Sequence, residues 1–168
     1  MFYVTFAPVK YKKEILMDVN LINPFLEATL HVLKTIAGID AHKGKPFLKK
    51  DNVAIGDVSG VIGLAGDMNG IISVTFTEKC IFYIVTGMFG EEVKELNAEI
   101  GDAVGEIANM ISGQARQKLE GQGTNLQAAI PSVVIGKNHT ISHLTKQPII
   151  ALPFSTQGGD FTVEICFE

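Results

Sequence analysis

Residues 53–79, VAIGDVSGVIGLAGDMNGIISVTFTEK, read as two strands joined by a turn, and this pattern restricts the chain to folds that contain antiparallel pairing. GDMNG at 66–70 supplies turn residues, and residues 71–77 are rich in β-branched side chains. The glycines of the first strand indicate a twisted or bulged strand, or one that a helix approaches closely. Residues 149–154 and 161–167 form a second, closing hairpin around QGGD.

Two long helices are predicted beside these hairpins. Apolar residues recur at helical spacing over 18–37 and again over 97–119, and Gly38 is placed to cap the first of these helices. The other predicted elements are a short helix over 79–89, a strand over 126–135 that contains Pro131, and a strand near residues 47 and 48. Because the strands are grouped and joined mainly by hairpins, we expect an α+β fold in which a largely antiparallel sheet packs with two long helices.

The length of 168 residues, 46% of them hydrophobic and 19% charged, fits one compact domain. Met17 could be an alternative start, so we expect residues 1–16 to be an N-terminal extension and 17–168 to be a single domain. The net charge of −4 and the lack of clustered Lys and Arg argue against nucleic acid as a partner. No apolar run is long enough for a membrane span, and no signal peptide is recognisable, so we expect a soluble cytoplasmic protein without a membrane partner.

The second long helix carries an unusual polar face. On a helical wheel Asp102, Glu106, Asn109 and Gly113 lie within about 60° of one another, opposite an apolar stripe. Gly105 and Gly113 flank the polar side chains, and Arg116 extends the row. The apolar stripe consists of Ile100, Val104, Ile107, Met110, Ile111 and Ala115. An ordinary solvated face would favour better helix formers than Gly and Asn, but pattern alone leaves a solvated face and a functional face equally open.

The spacing of this row resembles the signature of the CheC, CheX and FliY family of bacterial chemotaxis phosphatases. Asp102 is followed after three residues by Glu106, after two more by Asn109, and after twenty-one more by Pro131. The order of elements from about residue 18 onward also resembles that family. In the first helix, Glu27 is followed by Leu30 rather than Asn, so the chain resembles CheX-type members, which carry one site per subunit.

The resemblance implies removal of phosphate from the phospho-aspartate of a CheY-type response regulator. Asn109 would orient the attacking water, as a glutamine does in GTPases, and Glu106 would pair with the regulator's active-site lysine. Asp102 would assist docking, and Gly105 and Gly113 would let the helix enter the regulator's pocket. The alternative is a non-catalytic adaptor of the chemotaxis or flagellar switch system on the same fold. A third reading is an unrelated dimerisation domain in which the row arose by chance.

The resemblance also implies that the protein needs no cofactor of its own, because the regulator brings Mg²⁺, and that it forms a homodimer. The edge strand of the closing hairpin is a candidate surface for pairing two sheets. Pro131 is expected to fix a turn or strand end beneath the helix.

Other motifs are weaker signals. His139 and His143 have an H-x₃-H spacing but lie in a polar loop with no Cys or carboxylate nearby, so no metal site is expected. Cys80 and Cys166 lie in apolar runs and are predicted to be buried thiols. No basic neighbour in sequence marks Cys80 as a nucleophile.

Overall fold

The computed structural model describes residues 19–142 and 148–168. The helices are α1 (Val19–Ala37), α2 (Glu78–Phe89) and α3 (Ala98–Gly121). The strands are β1 (His42–Lys43), β2 (Phe47–Lys49), β3 (Val58–Gly66), β4 (Gly70–Phe76), β5 (Leu126–Ala128), β6 (Ser132–Ile135), β7 (Ile149–Thr156) and β8 (Gly159–Phe167). The predicted extension over residues 1–16 lies outside the described residues.

The eight strands form one antiparallel sheet, which confirms the predicted α+β class. The main path runs β1-β7-β8-β4-β3-β5; β2 also pairs with β7, and β6 also pairs with β3. Both predicted hairpins are present: β3 pairs with β4 across residues 67–69, and β7 pairs with β8 around a two-residue turn at 157–158. The short strand near residues 47 and 48 is β2, and it pairs with β7.

The three predicted helices are confirmed to within about two residues at each end. After α1, Gly38 adopts a φ of 68°, and its N–H donates to the Lys34 carbonyl over 3.1 Å, which is a left-handed glycine cap. Thr77 caps the start of α2 by accepting from the Cys80 N–H. None of the helices in the described part of the chain is both long and apolar enough to cross a membrane.

One face of the sheet is covered by the helices and holds the apolar core: α3 lies on β3 and β4, α2 lies on β8, and α1 packs mainly on α3 and α2. Phe76, Phe161 and Phe154 are cross-strand neighbours on β4, β8 and β7. Their rings form a row with centroid separations of 5.3 Å and 4.9 Å. Aromatic pairs at this distance add attraction beyond the area they bury. These three rings connect the centre of the sheet to the edge that carries β1 and β2.

The strand predicted over residues 126–135 is wrong as a single element. It is divided into β5 and β6, which both pair with β3. Ala128 pairs with Leu64 and Ser132 with Val61, so three residues, 129–131, face only two on β3. Pro131 occupies this interruption because it has no N–H for the ladder. The predicted role of Pro131 at a strand end is confirmed.

The closing hairpin does not provide a free sheet edge, so that prediction was also wrong. The outer side of β7 is paired with β1 over 42–43 and with β2 over 47–49. The opposite edge of the sheet is formed by β5 and β6. All four residues of β6 are exposed, although three of them are Val or Ile.

The face of the sheet away from α1 and α3 contains a buried ion pair. The Lys49 ammonium lies 2.7 Å from Glu164 Oε1, and the two side chains are 6% and 0% exposed. Lys49 also donates to the Val53 carbonyl. The other carboxylate oxygen, Glu164 Oε2, has no hydrogen-bond partner among the described residues. The ion pair with Lys49 therefore offsets most of the cost of burying the Glu164 carboxylate away from water.

We predict that Lys49→Met lowers the free energy of unfolding by about 3–5 kcal/mol at neutral pH, because it leaves Glu164 as a buried charge without its cation. Urea denaturation measures the change. Lys34→Met is the matched control, since Lys34 pairs with Asp40 at the surface and such pairs contribute at most about 1 kcal/mol. Equal midpoints for the two variants would contradict the predicted dependence of Glu164 on Lys49.

Candidate functional site

Helix α3 is the element that carries the predicted site. Asn97 caps its start, where the side-chain oxygen accepts from the Ile100 N–H over 3.1 Å. The predicted apolar stripe is confirmed: Ile100, Val104, Ile107, Ile111 and Ala115 are fully buried, and Met110 lies at the edge, half-buried. Burial of this stripe against α1 and the sheet sets the rotation of the helix, so its polar row must face outward.

The depth at which α3 packs on the sheet is set by Gly60 of β3. A Cβ atom at this position would lie 2.9 Å from the Ala108 Cβ and 3.2 Å from the Val104 carbonyl oxygen. Both distances are shorter than ordinary van der Waals contact, so only glycine lets the helix come this close. The close approach predicted from the glycines of this strand is thereby confirmed at Gly60.

The polar row projects from a continuous stretch of α3. Asp102, Glu106 and Asn109 are all exposed, and none makes a side-chain hydrogen bond or ion pair with another residue in the described part of the chain. The row spans roughly 10 Å along the helix axis from Asp102 to Asn109. Three polar groups without partners on a rigid helix can act together on a molecule that docks against this face.

The glycines beside the row have two different surroundings. A Cβ at Gly105 would lie 3.5 Å from Val133 Cγ2 and 4.0 Å from Pro131 Cβ, so this glycine faces the start of β6. At Gly113, apart from the neighbouring residues and the backbone of the helix itself, such a Cβ would approach only Arg116 Nη2, at 4.0 Å, among the described residues. Gly105 therefore borders the chain's own β6, whereas Gly113 borders open space.

A groove continues from the row along the second half of α3. It has a volume of about 540 Å³. Its lining consists of Gly113, Arg116, Gln117 and Glu120 from α3, and Gly66, Asp67, Asn125, Leu126 and Gln127 from the ends of β3 and β5. The helical spacing of Gly113 and Arg116 could be read in the sequence. The contributions of β3 and β5 could not, because only the sheet pairing brings them to the helix.

The first long helix has no comparable row. Glu27 on α1 is exposed, but its carboxylate pairs with Lys118 of α3. Leu30, which stands where the signature has Asn, is half-buried and packs against the core. Glu27 therefore contributes to the contact between the two long helices.

Of the two histidines with the H-x₃-H spacing, His139 makes structural contacts. His139 Nδ1 donates to the Gly136 carbonyl over 2.6 Å, and its Nε2 lies 2.6 Å from the buried Ser59 hydroxyl. His143 lies outside the described residues. Over residues 19–142 and 148–168, no group of three His, Cys, Asp or Glu side chains could hold a metal ion.

The two cysteines are buried and not joined in a disulfide, as predicted. Burial raises the pKa of the Cys80 thiol to about 12; the Thr156 hydroxyl partly lowers it, and the Asp160 carboxylate raises it further. At neutral pH the group is therefore a neutral thiol, which is a poor nucleophile.

Comparisons with known proteins agree on one family. The sequence model of the chemotaxis phosphatase CheX matches residues 58–155, a range that contains all of α3. The CheY-P phosphatase CheX of Thermotoga maritima is 27% identical over 140 residues, which cover 83% of this chain and 89% of that protein.

Solved structures agree with this match. A putative chemotaxis protein from Desulfovibrio vulgaris Hildenborough has a TM-score of 0.82 and 53% identity over 90% of this chain and 98% of that one. The complex of CheX with CheY, BeF₃ and Mg²⁺ from Borrelia burgdorferi contains a chain with a TM-score of 0.76 and 26% identity. That likeness covers 88% of this chain and 97% of that one.

We predict that Gly60→Ala lowers the free energy of unfolding by about 1–3 kcal/mol, because the added methyl group must push α3 away from β3. Gly63→Ala on the same strand is the control: its Cβ would meet only the Ala129 Cβ, at an ordinary 3.8 Å. Loss of unfolded-state freedom should leave that variant unchanged or up to about 1 kcal/mol more stable. Thermal unfolding measures both variants. Equal decreases in the midpoint temperatures of Gly60→Ala and Gly63→Ala would contradict the special role of Gly60.

Proposed function

The chain belongs to the chemotaxis phosphatase CheX family, and from this membership we propose that Glu106 and Asn109 carry its activity. That activity is the removal of phosphate from a phosphorylated CheY-type response regulator, as the name of the T. maritima relative and the CheY complex of the B. burgdorferi relative support. One observation carries the assignment to these two residues. Both are exposed, without partners in the described chain, at the family's spacing on one rigid helix.

Asn109 acts by positioning water. Its amide has an acceptor oxygen and a donor nitrogen in one plane, so it can hold a water molecule in line with the phosphorus. An amide is too weak a base to deprotonate that water. It need not do so, because an acyl phosphate is already reactive and the developing charge is stabilised by cations of the regulator.

Glu106 acts by docking. Its carboxylate lies one helical turn before Asn109, on the same row. A contact with the regulator's active-site lysine fixes the register in which Asn109 meets the phosphoryl group. Such a charge-assisted contact is stronger in a water-poor interface than on an open surface. Asp102, one turn earlier, assists orientation at the start of the helix.

The two glycines keep the row accessible in different ways. Gly113 leaves the helix surface beyond Asn109 without side-chain bulk, so the regulator can approach the backbone closely. Gly105 lets β6 lie close beside the row. A larger residue there would compete with Val133 for the space next to Glu106, so we assign Gly105 a part in the shape of the docking surface.

The regulator supplies Mg²⁺, and the phosphatase needs no cofactor of its own. We expect both proteins to meet in the cytoplasm. We also expect a homodimer, although every residue assigned to the site belongs to a single chain.

Asn109→Ala should lower the rate of dephosphorylation on the order of 100-fold or more, because the attacking water loses its in-line position. The measurement is the loss of phosphate from a phosphorylated CheY-type regulator with catalytic amounts of each variant. Asn23→Ala removes an exposed amide from α1 and should leave the rate unchanged.

Undiminished turnover by Asn109→Ala would remove its positioning role. If the wild-type protein bound the regulator and did not accelerate phosphate loss, the adaptor reading would hold instead. The third hypothesis, an unrelated dimerisation domain, is already excluded by the match to the family model over residues 58–155.

Glu106→Ala should weaken binding of the regulator by about 1.5–3 kcal/mol, which is roughly ten- to 150-fold in Kd, because a hydrogen-bonded charge is lost from the interface. Calorimetric titration against the regulator activated with BeF₃ and Mg²⁺ gives this value. Glu27→Gln alters an exposed carboxylate on the other long helix and should not change Kd. An unchanged Kd for Glu106→Ala would exclude the docking role.

A further inference from the structure

The polar row of α3 does not end at Asn109. Arg116 lies two helical turns further on, within about 20° of Asn109 on the helical wheel. It also lines the groove between α3 and the ends of β3 and β5. The row and the groove meet at Gly113, so they form one continuous surface.

The side chain of Arg116 is oriented toward the row. Its Nε donates to the Ser112 hydroxyl over 3.3 Å, and Nη2 lies 4.0 Å from the place where a Gly113 Cβ would be. The guanidinium is thus folded back over the preceding turn, as long helical side chains usually are. This brings it to roughly one turn, about 5 Å along the axis, from the level of Asn109.

Arg116 is half-buried, and in the described part of the chain it has no ion pair within 4 Å. It is the only cation among the described residues that line the groove, beside Asp67 and Glu120. Asp67 accepts from the Asn125 N–H over 2.8 Å. A preoriented guanidinium with free donors can bind a carboxylate through two parallel hydrogen bonds.

We propose that the groove around Arg116 is a second contact area for the phosphorylated CheY-type regulator, in which the guanidinium binds a carboxylate on the regulator's surface. This rests on the function proposed above, because the regulator can reach the groove only if it docks on the row. The guanidinium lies about one turn beyond the level of Asn109, so it contacts the flank of the phosphorylation site. Arg116 is accordingly a docking residue that selects regulators with an acidic side chain at this place.

Arg116→Gln tests the assignment. We expect Kd for the regulator activated with BeF₃ and Mg²⁺, and KM for the phosphorylated regulator, to rise about five- to twentyfold, while kcat stays within about twofold. The dependence of KM on salt should become weaker, since one charge pair is lost. Arg116→Lys should recover part of the affinity, because it restores the charge without the planar fork.

Lys118→Gln is the matched control. It removes the same charge from the same helix two residues on, but Lys118 faces α1 and pairs with Glu27. Kd, KM and their salt dependence should match the wild-type values. An equal loss in both variants would show that only net charge matters, and would overturn the specific contact.

Two other results would also overturn it. Unchanged Kd and KM in Arg116→Gln would exclude contact between the groove and the regulator. A fall in kcat at constant KM would show that Arg116 stabilises the transition state and does not act as a docking residue at the flank. Asn109→Ala, assayed in parallel, separates the two proposals. If Asn109→Ala loses kcat while Arg116→Gln keeps the wild-type Kd and KM, the proposed function holds and the second contact area is excluded. Because the titration measures binding alone, it tests the contact of Arg116 even if the protein does not accelerate phosphate loss.

Discussion

The close approach of α3 to β3 at Gly60 is the contact on which the geometry of the functional surface depends. Because glycine leaves no Cβ there, the helix backbone rests directly on the strand, and Val104 and Ala108 are its points of contact. A helix held this tightly by its apolar side cannot rotate without opening the core. The outward direction of Glu106 and Asn109 is therefore a consequence of packing on the opposite side of the helix.

The two faces of the sheet differ in the side chains that they bury. The face toward α1 and α3 is apolar and positions the site helix. The other face buries polar groups, among them the Lys49–Glu164 pair and the Ser59 hydroxyl held between Thr75 and His139. Buried ion pairs contribute little net stability compared with apolar packing but are costly to disrupt. This second face consequently ties the segments around Lys49 and His139 to one arrangement over the sheet.

The chemistry proposed for α3 requires few groups, because the proposal assigns the Mg²⁺ and most of the catalytic charge to the regulator. A positioned amide and a docking carboxylate are weak catalysts in isolation. Their effect comes from being held without internal partners at one-turn spacing on a rigid helix. The absence of competing contacts for Glu106 and Asn109 among the described residues matters as much as the residue types.

Much of this organisation could be predicted from the sequence, because it depends on local patterns. The hairpins, the three helices and the outward row over residues 102–109 follow from periodicity and turn residues. Pro131 indicated a strand end, but the sequence could not show that the segments on both sides of it pair with the same strand, β3. The Lys49–Glu164 pair joins residues 115 positions apart, and the groove combines α3 with two strand ends. Sequence periodicity contains no information about such distant neighbours.

The ion pair between Glu27 and Lys118 has a consequence for how the protein meets its partner. With Glu27 engaged and Leu30 in place of an asparagine, α1 presents no second row of the kind found on α3. Each chain therefore offers one row of this kind, on α3. The number of such rows in a solution of this protein therefore equals the number of chains, whatever their state of assembly.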